Sequence, residues 1–521
     1  MRMKKIVALF LALTLVLTLF AGCGQKSENT GKTTDTQKSD TSSSTSSKSE
    51  EKTLVYGLAG DIDDFDPFSN QTLRFIKTLG YNCYESLLHI NENMQYEMDL
   101  AESYEHPDDL TYIFKLRKGV KFHNGNTMTA EDVKFSIERA IDPNVGSWLG
   151  AYFTQVKSVE IVDENTVKIN LSEVSPAFLD GVCMLKIINK GTEGALKQKP
   201  IGTGPFKFIS WAPNDNITLE KFADYWDASK VKIEKLILKP IPDQTVAMTN
   251  LEAGSINLYE DLSIANAIAA GAKDNIKVLT SKTSNSTALF EVGLHNVPAF
   301  SDPKVMAAIC HALDKETINK EVYNNMAKVI WSPFPSGAKY FVNLEGNTFD
   351  LEKAKALLNE TQYKDGFEFK LTVMAGDTMG EQIAVIWQAA LAQIGVNLKI
   401  NIVEFSVWLE EYLDRSYDMI LNQYPMAGTD PSTYCNQIIY PLLSYQAANI
   451  PGLGDFINQG KTESNDAKRA EIYKKIQELI FEYKPVISIV EAPLVYGATV
   501  NLKGVEINPV GHTFLKNATL E

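Results

Sequence analysis

The stretch TMGEQIAVIWQAALAQIGVNLKINI (residues 378–402) decides the class of fold. Its first part, Thr378–Ile394, is predicted to be a helix, and Gly395 closes it because glycine adopts the left-handed conformation that commonly ends a helix. Val396–Ile402 then follows as a strand. A helix that leads into a strand through one glycine is typical of the crossover in an α/β layer.

The rest of the chain alternates helices and strands in the same way. Thr111–Leu116 alternates apolar and polar residues as a half-buried strand does, and 156–162 with 166–171 is predicted to form a hairpin. Helices are predicted from Thr129 to about Ala140, from Asp302-Pro303 to about Leu313, over Asp243–Ala253 and over Asp466–Tyr483. The predicted fold class is therefore mixed, α/β to α+β.

Length and charge restrict the possible functions. Residues 53–521 are too many for one compact unit and are better divided between two lobes. The formal net charge is −15, and without residues 1–22 it becomes −18, because 47 basic residues then stand against 65 acidic ones. Such an acidic body argues against binding nucleic acid, and against binding an anionic lipid surface through charge.

The N-terminus is typical of an export signal that ends at a cysteine. A basic start is followed by the apolar run Ile6–Ala21, which is short for a bilayer core of roughly 30 Å. The ending LFAGC (19–23) resembles a bacterial lipobox, in which Cys23 is acylated, for example with palmitate, and becomes the mature N-terminus. Residues 1–22 are thus predicted to be a signal peptide, and 23–52 a polar tether that spans about 30 Å.

Motifs for catalysis, metals and cofactors are absent from the sequence. We find no nucleophile elbow, no zinc-protease helix, no phosphate-binding loop and no paired histidines, so we expect no enzyme, no metal and no cofactor. The remaining cysteines are far apart and are expected to be mostly buried free thiols. The acidic loop with Asp61, Asp63, Asp64 and Asp66 lacks the pattern of a calcium loop and is interpreted as solvated.

Two motifs carry a resemblance to a known family. The first is LAESYEHPDDLTYIFKLRKGVKFHNG (100–125), continued by TAEDV (129–133); the second is PIGTGPFKFISW (200–211), continued by DYW (224–226). Together they resemble the extracytoplasmic solute-binding proteins of peptide-type ABC importers, which include oligopeptide-, dipeptide- and nickel-binding proteins. The motifs themselves suit turns and apolar packing, and we interpret them as structural.

The resemblance implies a two-lobed fold like that of the periplasmic binding proteins, of type II and the peptide-binding class. Lobe 1 would comprise 53–288 and 490–521, with an extra subdomain at 90–199, and lobe 2 would comprise 289–489. It also implies a monomer that hands its solute to ABC permease subunits. With acylated Cys23 in the bilayer, the protein would sit on the outer face of the cell membrane, most naturally in a Gram-positive-type cell. An extracellular hydrolase and a signalling lipoprotein are the alternative classes.

Matching to the oligopeptide-binding pattern gives candidate ligand contacts. They are Asn70 and Gln71 after Asp66-Pro67, and Trp408, Tyr424, Met426 and Asp430 in lobe 2. Aromatic walls supply area while a few polar groups fix orientation. Trp408 is equally compatible with a helix core, and Asp430 with a turn before proline.

Two positions depart from the peptide-binding pattern. Ala427 stands where peptide binders have an acid for the ligand's ammonium, and Leu421 where oligopeptide binders have an arginine. A buried charged terminus without a partner costs several kcal/mol. The expected ligand is an oligopeptide or dipeptide, and an oligosaccharide or nickel is the alternative.

Overall fold

The computed structural model describes residues 52–282, 286–426, 428–435 and 450–521. The strands are β1 (Thr53–Leu58), β2 (Leu88–Ile90), β3 (Tyr96–Met98), β4 (Ala101–Asp108), β5 (Thr111–Leu116), β6 (Val156–Asp163), β7 (Thr166–Leu171), β8 (Phe206–Ala212), β9 (Asn216–Lys221), β10 (Lys235–Pro240), β11 (Leu258–Tyr259), β12 (Ile276–Thr280), β13 (Ser286–Val292), β14 (Lys328–Val329), β15 (Glu368–Met374), β16 (Asn397–Val403), β17 (Met419–Pro425), β18 (Val486–Glu491), β19 (Val495–Thr499), β20 (Leu502–Lys503), β21 (Glu506–Ile507), β22 (Thr513–Phe514) and β23 (Thr519–Leu520). The helices are α1 (Leu73–Lys77), α2 (Leu79–Asn82), α3 (Ala130–Ile141), α4 (Phe178–Met184), α5 (Gln244–Glu252), α6 (Ile264–Gly271), α7 (Pro303–His311), α8 (Lys315–Tyr323), α9 (Leu351–Asn359), α10 (Thr378–Gln393), α11 (Phe405–Asp414), α12 (Pro431–Thr433), α13 (Leu453–Thr462) and α14 (Asp466–Tyr483).

The first lobe is built on a seven-stranded sheet with the strand order β12-β19-β11-β1-β10-β9-β8. β1 runs parallel to both β10 and β11, whereas the outer pairs are antiparallel. A four-stranded sheet, ordered β4-β5-β7-β6, shares one apolar core with this sheet, and α4 contributes Val182 and Cys183 to the same core. Helix α4 is therefore fixed to the first lobe.

The second lobe is built on a six-stranded sheet with the order β14-β18-β13-β17-β15-β16. Helix α10 leads into β16, which pairs in parallel with β15, so the crossover predicted from 378–402 is confirmed. Trp387 of α10 is fully buried and stacks on Phe290 of β13 with ring centroids 4.5 Å apart. The chain enters this sheet between β12 and β13 and leaves it between β18 and β19.

Local sequence signals specify several of these elements. The helix predicted from Thr129 is α3, and Thr129 and Asp132 form a capping box at its start. Asp302 caps α7 before Pro303, where a helix was predicted to begin. The predicted hairpin is confirmed as the antiparallel pair β6 and β7. Gly202, in the second family motif, lies against the backbone of Cys83, where a Cβ atom would collide with the carbonyl group.

Burial settles two further expectations. Cys83, Cys183, Cys310 and Cys435 are buried free thiols, as predicted. The interpretation of the acidic loop as solvated is wrong for Asp66, which is buried and forms an ion pair with Arg139 at 2.7 Å. The loop turns inward because its carboxylates satisfy backbone and side-chain donors of their own lobe.

Candidate functional site

The two lobes meet where the chain leaves β17. The carboxylate of Asp180, on α4 of the first lobe, accepts hydrogen bonds from the backbone N–H groups of Thr429, at 3.0 and 3.1 Å, and of Asp430, at 2.9 Å. The Thr429 hydroxyl lies 3.1 Å from the same carboxylate and 2.9 Å from the hydroxyl of Tyr96. We call this contact the seam, and it joins the first lobe to the end of β17 through backbone groups.

Asp180 is suited to this contact by its position and its surroundings. It lies in the first turn of α4, is completely buried, and also accepts a hydrogen bond from Tyr96 at 2.8 Å. Burial, and then the nearby charge of Asp430, raises the pKa of Asp180 to about 6. Gly428 packs so closely on this carboxylate that a Cβ atom there would overlap it. The seam therefore requires a small residue at 428.

Asp430 is held in place from within the second lobe. Its carboxylate pairs with both terminal nitrogens of Arg469 on α14, and Nη2 lies 2.7 Å from Oδ1. It also caps α12 by accepting the backbone N–H of Ser432 at 2.9 Å. Both charged side chains are buried, and Arg469 Nε donates to the carbonyl of Gly460 at 2.9 Å. This arrangement fixes the backbone N–H that Asp180 binds.

A cavity of about 150 Å³ lies beside the seam and has walls from both lobes. The first lobe contributes Ala151, Tyr152, Gln155, Glu173, Val174, Ser175 and Ala177, and the second contributes Ser432, Lys461 and Thr462. The walls thus carry hydroxyl and amide groups, one carboxylate and one ammonium group. Such a lining suits a small polar solute or one end of a longer ligand.

Helix α11 carries a row of stacked rings, Phe405, Trp408 and Tyr412, which we call the aromatic row. The rings of Phe405 and Trp408 are nearly parallel with centroids 6.3 Å apart, and those of Trp408 and Tyr412 are 5.3 Å apart. The guanidinium of Arg415 lies over Tyr412 at 4.4 Å and closes the row. Phe405 is 58% exposed, so the row offers apolar area to a ligand.

Tyr424 connects the aromatic row to a buried acid. Its hydroxyl lies 3.0 Å from that of Tyr412 and donates to the carboxylate of Glu291 on β13. Glu291 is fully buried and also accepts hydrogen bonds from Tyr417 at 2.9 Å and Asn422 at 3.1 Å. Burial raises its pKa, and the tyrosine hydroxyls oppose that rise.

The structure places the other predicted contacts as follows. Asn70 is buried and its Oδ1 accepts the backbone N–H of Thr72 at 2.9 Å, whereas Gln71 is exposed. Met426 is buried in a core cluster of the second lobe that also holds Tyr424. The structure thus brings Tyr424, Met426 and Asp430 together at the end of β17.

The sequence also singled out Leu421, Cys23 and Ala427. Leu421 is buried in the main core of the second lobe. Cys23 and Ala427 lie outside the described residues.

Sequence reasoning missed Asp180, Glu291 and Arg469. A buried acid has no signature in a linear pattern, although an aspartate inside the apolar run Phe178–Met184 was a signal that could have been used. Within the described ranges, no group of three or more histidine, cysteine, aspartate or glutamate side chains could hold a metal ion. The helices of the same ranges include none that is long and apolar enough to cross a membrane.

Comparison with known sequences gives a family match and distant relatives. The family of bacterial extracellular solute-binding proteins, family 5 Middle, matches residues 95–442. The glutathione-binding protein GsiB of Escherichia coli O1:K1 is 26% identical over 481 residues, which cover 88% of this chain and 92% of that protein. The heme-binding protein A of Haemophilus influenzae is 28% identical over 98% of both chains.

Solved structures show the same architecture. The ABC transporter substrate-binding protein CtaP of Listeria monocytogenes superposes with a TM-score of 0.82 at 27% identity, covering 90% of this chain and 99% of that one. The periplasmic binding protein DppA of Helicobacter pylori, in complex with the peptide STSA, gives a TM-score of 0.70 at 26% identity, with 90% and 98% coverage.

Proposed function

Because this chain belongs to the bacterial extracellular solute-binding proteins of family 5, we propose that it captures a short peptide outside the cell and delivers it to an ABC importer. Membership of the family confirms the resemblance predicted from the two motifs, and the structural neighbours confirm the two-lobed fold class. The family's proteins are receptors for solutes. For this chain we propose binding without turnover of the ligand.

The seam is the observation that carries the proposed mechanism. Asp180 binds the backbone at 429–430 across the two lobes, so its hydrogen bonds form only when the lobes are together. A ligand that contacts both lobes stabilises the closed form by its greater affinity for that form. Closure then presents one defined shape to the permease, and opening releases the solute.

The choice of a peptide rests on the relatives and on the polar groups beside the seam. One relative is named for binding glutathione, and one structural neighbour contains a bound peptide. The cavity beside the seam offers amide and hydroxyl groups, which suit a peptide backbone. We propose Trp408 and Tyr424 as the aromatic side of the site, with Asn70, Gln71, Met426 and Asp430 around it.

An oligosaccharide is the second candidate, and the aromatic row favours it. Three parallel rings with an exposed end can stack on the apolar faces of sugar rings without any charge on the ligand.

We further propose that Cys23 is acylated and that residues 23–52 tether the two lobes to the outer face of a Gram-positive-type membrane. A tether of this length keeps the receptor near its permease and so raises its effective concentration there. Replacing Cys23 with alanine should release the protein into the culture medium and abolish labelling by a palmitate analogue. Membrane retention of the unlabelled variant would contradict the anchor.

The ligand can be identified directly. The full-length protein is expressed in its native host, the mature form is purified and denatured, and the released small molecules are analysed by mass spectrometry. A thermal-shift screen of peptides, neutral oligosaccharides and nickel then tests which class stabilises the protein, with Trp408→Ala as the matched binding-deficient variant. We expect short peptides to raise the melting temperature of the parent chain more than that of the variant. A response to neutral sugars alone would overturn the peptide assignment.

A further inference from the structure

A small cavity lies inside the second lobe, away from the residues of the seam. Its walls come from α7, the start of α8, the chain after β14, the loop before α9, the end of α14 and the strand β18. The polar side chains that line it are Cys310, Lys315, Trp331, Asn347, Lys484 and Ser488. Its volume is about 30 Å³. Because one water molecule needs roughly 10–15 Å³ by this measure, the space holds a monatomic ion or about two waters.

The cavity carries two ammonium groups and no carboxylate. Lys315 is only 7% exposed, and its Nζ donates to the carbonyl of Ile330 at 2.9 Å. Lys484 Nζ donates to the carbonyl of Phe481 at 2.6 Å. Neither lysine has an acidic side chain within 4.0 Å among the described residues. Asp314, the neighbour of Lys315 in sequence, instead uses its carboxylate to cap α8.

Of the remaining polar groups, Asn347 donates through its amide nitrogen to the carbonyl of Ala307 at 3.5 Å, whereas two others have no partner among the described residues. Ser488 is 3% exposed, and its hydroxyl has no hydrogen-bond partner among the described residues. The indole N–H of Trp331 is also buried and equally unpaired within the described part of the chain. Buried polar groups in folded proteins are nearly always satisfied, so two such donors in one cavity indicate a bound acceptor.

The electrostatics agree with this geometry. A buried ammonium group without an opposite charge is unfavourable, because it loses its hydration without gaining a counter-ion. Burial, reinforced by the positive charge of Lys484, lowers the pKa of Lys315 to about 7. Cys310 opposes this shift only in part, because burial raises the pKa of its own thiol. An anion between the two lysines would compensate their positive charge and accept hydrogen bonds from the Ser488 hydroxyl and the Trp331 indole N–H.

We propose that this cavity binds a small monatomic anion, chloride in extracellular fluid, held by Lys315, Lys484, Ser488 and Trp331. The small volume favours a monatomic ion over phosphate or sulfate, and the two ammonium groups oppose a cation. The ion would tie α8 and α14 to β18, and so stabilise the second lobe independently of the transported solute.

Bromide provides the test, because it replaces chloride and scatters anomalously. Crystals of the chain 52–521 grown in sodium bromide should show an anomalous peak between the two lysine ammonium groups. In solution, the melting temperature should rise with the logarithm of halide concentration when chloride replaces gluconate at constant ionic strength. Lys315→Met should abolish this dependence, whereas Lys320→Met, an exposed lysine on the same helix, should retain it.

Ser488→Ala gives a second variant in case Lys315→Met does not fold, and it should weaken the halide dependence. The absence of anomalous density in the cavity, with equal melting temperatures in chloride and gluconate, would overturn the proposal. Anomalous density at other surface positions only would do the same.

Discussion

Removing the carboxylate of Asp180 should weaken ligand binding while leaving the ligand-free protein nearly as stable as before. In the closed form, Asp180→Ala leaves the backbone N–H groups of Thr429 and Asp430 without their acceptor. In an open form these groups bind water, so the substitution makes closure less favourable without affecting the open form. Because the ligand binds the closed form, its dissociation constant should rise.

The loss of ligand affinity can be estimated from the number of backbone N–H groups that lose their acceptor. Each buried donor left unpaired costs about 1–3 kcal/mol, so two of them together cost about 3 kcal/mol. Since every 1.4 kcal/mol is about tenfold in affinity, the dissociation constant should rise about a hundredfold. Gly428→Ala should act in the same direction through shape alone, because its methyl group would overlap the Asp180 carboxylate.

Titration calorimetry with the ligand found by mass spectrometry measures the affinity, and urea unfolding of the ligand-free protein measures the stability. Asp109→Ala is the matched control, since Asp109 contacts Ser464 across the lobes at 2.8 Å but is exposed. Such surface changes usually alter stability by less than about 0.5 kcal/mol. Unchanged affinity in both Asp180→Ala and Gly428→Ala would refute the role of the seam, as would a loss of unfolding free energy equal to the loss of binding.

Three further outcomes are expected. Arg469→Met leaves the buried carboxylate of Asp430 unpaired and should lower the free energy of unfolding, measured in urea, by about 3–5 kcal/mol. Adding Asp430→Asn to this variant should restore part of the lost stability, and a loss below about 1 kcal/mol in Arg469→Met would contradict the prediction. Trp408→Ala removes the middle ring of the aromatic row and should weaken ligand binding about tenfold in calorimetry. The free energy of unfolding should change by less than about 1 kcal/mol, and an unchanged affinity would show that Trp408 does not contact the ligand. Burial and the charge of Asp430 raise the pKa of Asp180 to about 6, so protonation of Asp180 stabilises the fold, and this contribution is complete below about pH 4 and lost as pH rises through 6. The free energy of unfolding of the parent relative to that of Asp180→Ala should therefore increase by about 1 kcal/mol from pH 7 to pH 5 in urea, and an unchanged difference would contradict this.

Much of the fold could be predicted from the sequence because its signals are local. The helix and strand of 378–402, the capping box at Thr129 and the Asp302-Pro303 start all depend on residues within a few positions of one another. The family motifs added the two-lobed class. Both kinds of signal can be recognised in the sequence without knowledge of tertiary contacts.

Helix α14 shows where such reasoning fails. Its sequence carries an apolar stripe, Ile472, Ile476, Leu479 and Ile480, and such a stripe predicts the buried face of a helix. In the structure Ile472 and Leu479 are only partly buried, whereas Arg469, Tyr473 and Gln477 are buried. A pattern of hydrophobicity assigns arginine to the surface, because arginine is rarely buried without a partner. Here the partner is Asp430, 39 residues away in sequence. Likewise Asp180 and Thr429 are 249 residues apart, and no periodicity relates them.

The buried carboxylates near the end of β17 bear directly on which ligands can bind. Asp180 is occupied by backbone N–H groups, Asp430 by Arg469 and Glu291 by tyrosine hydroxyls. A ligand ammonium group would have to displace one of these partners, and each such hydrogen bond to a charged group is worth about 1.5–3 kcal/mol. Among these residues no buried acid is left to hold the amino terminus of a peptide. A peptide ligand and its N-acetylated form should therefore bind with affinities that differ by less than about tenfold in calorimetry, and a hundredfold preference for the free amine would show that the terminus is recognised by a charge.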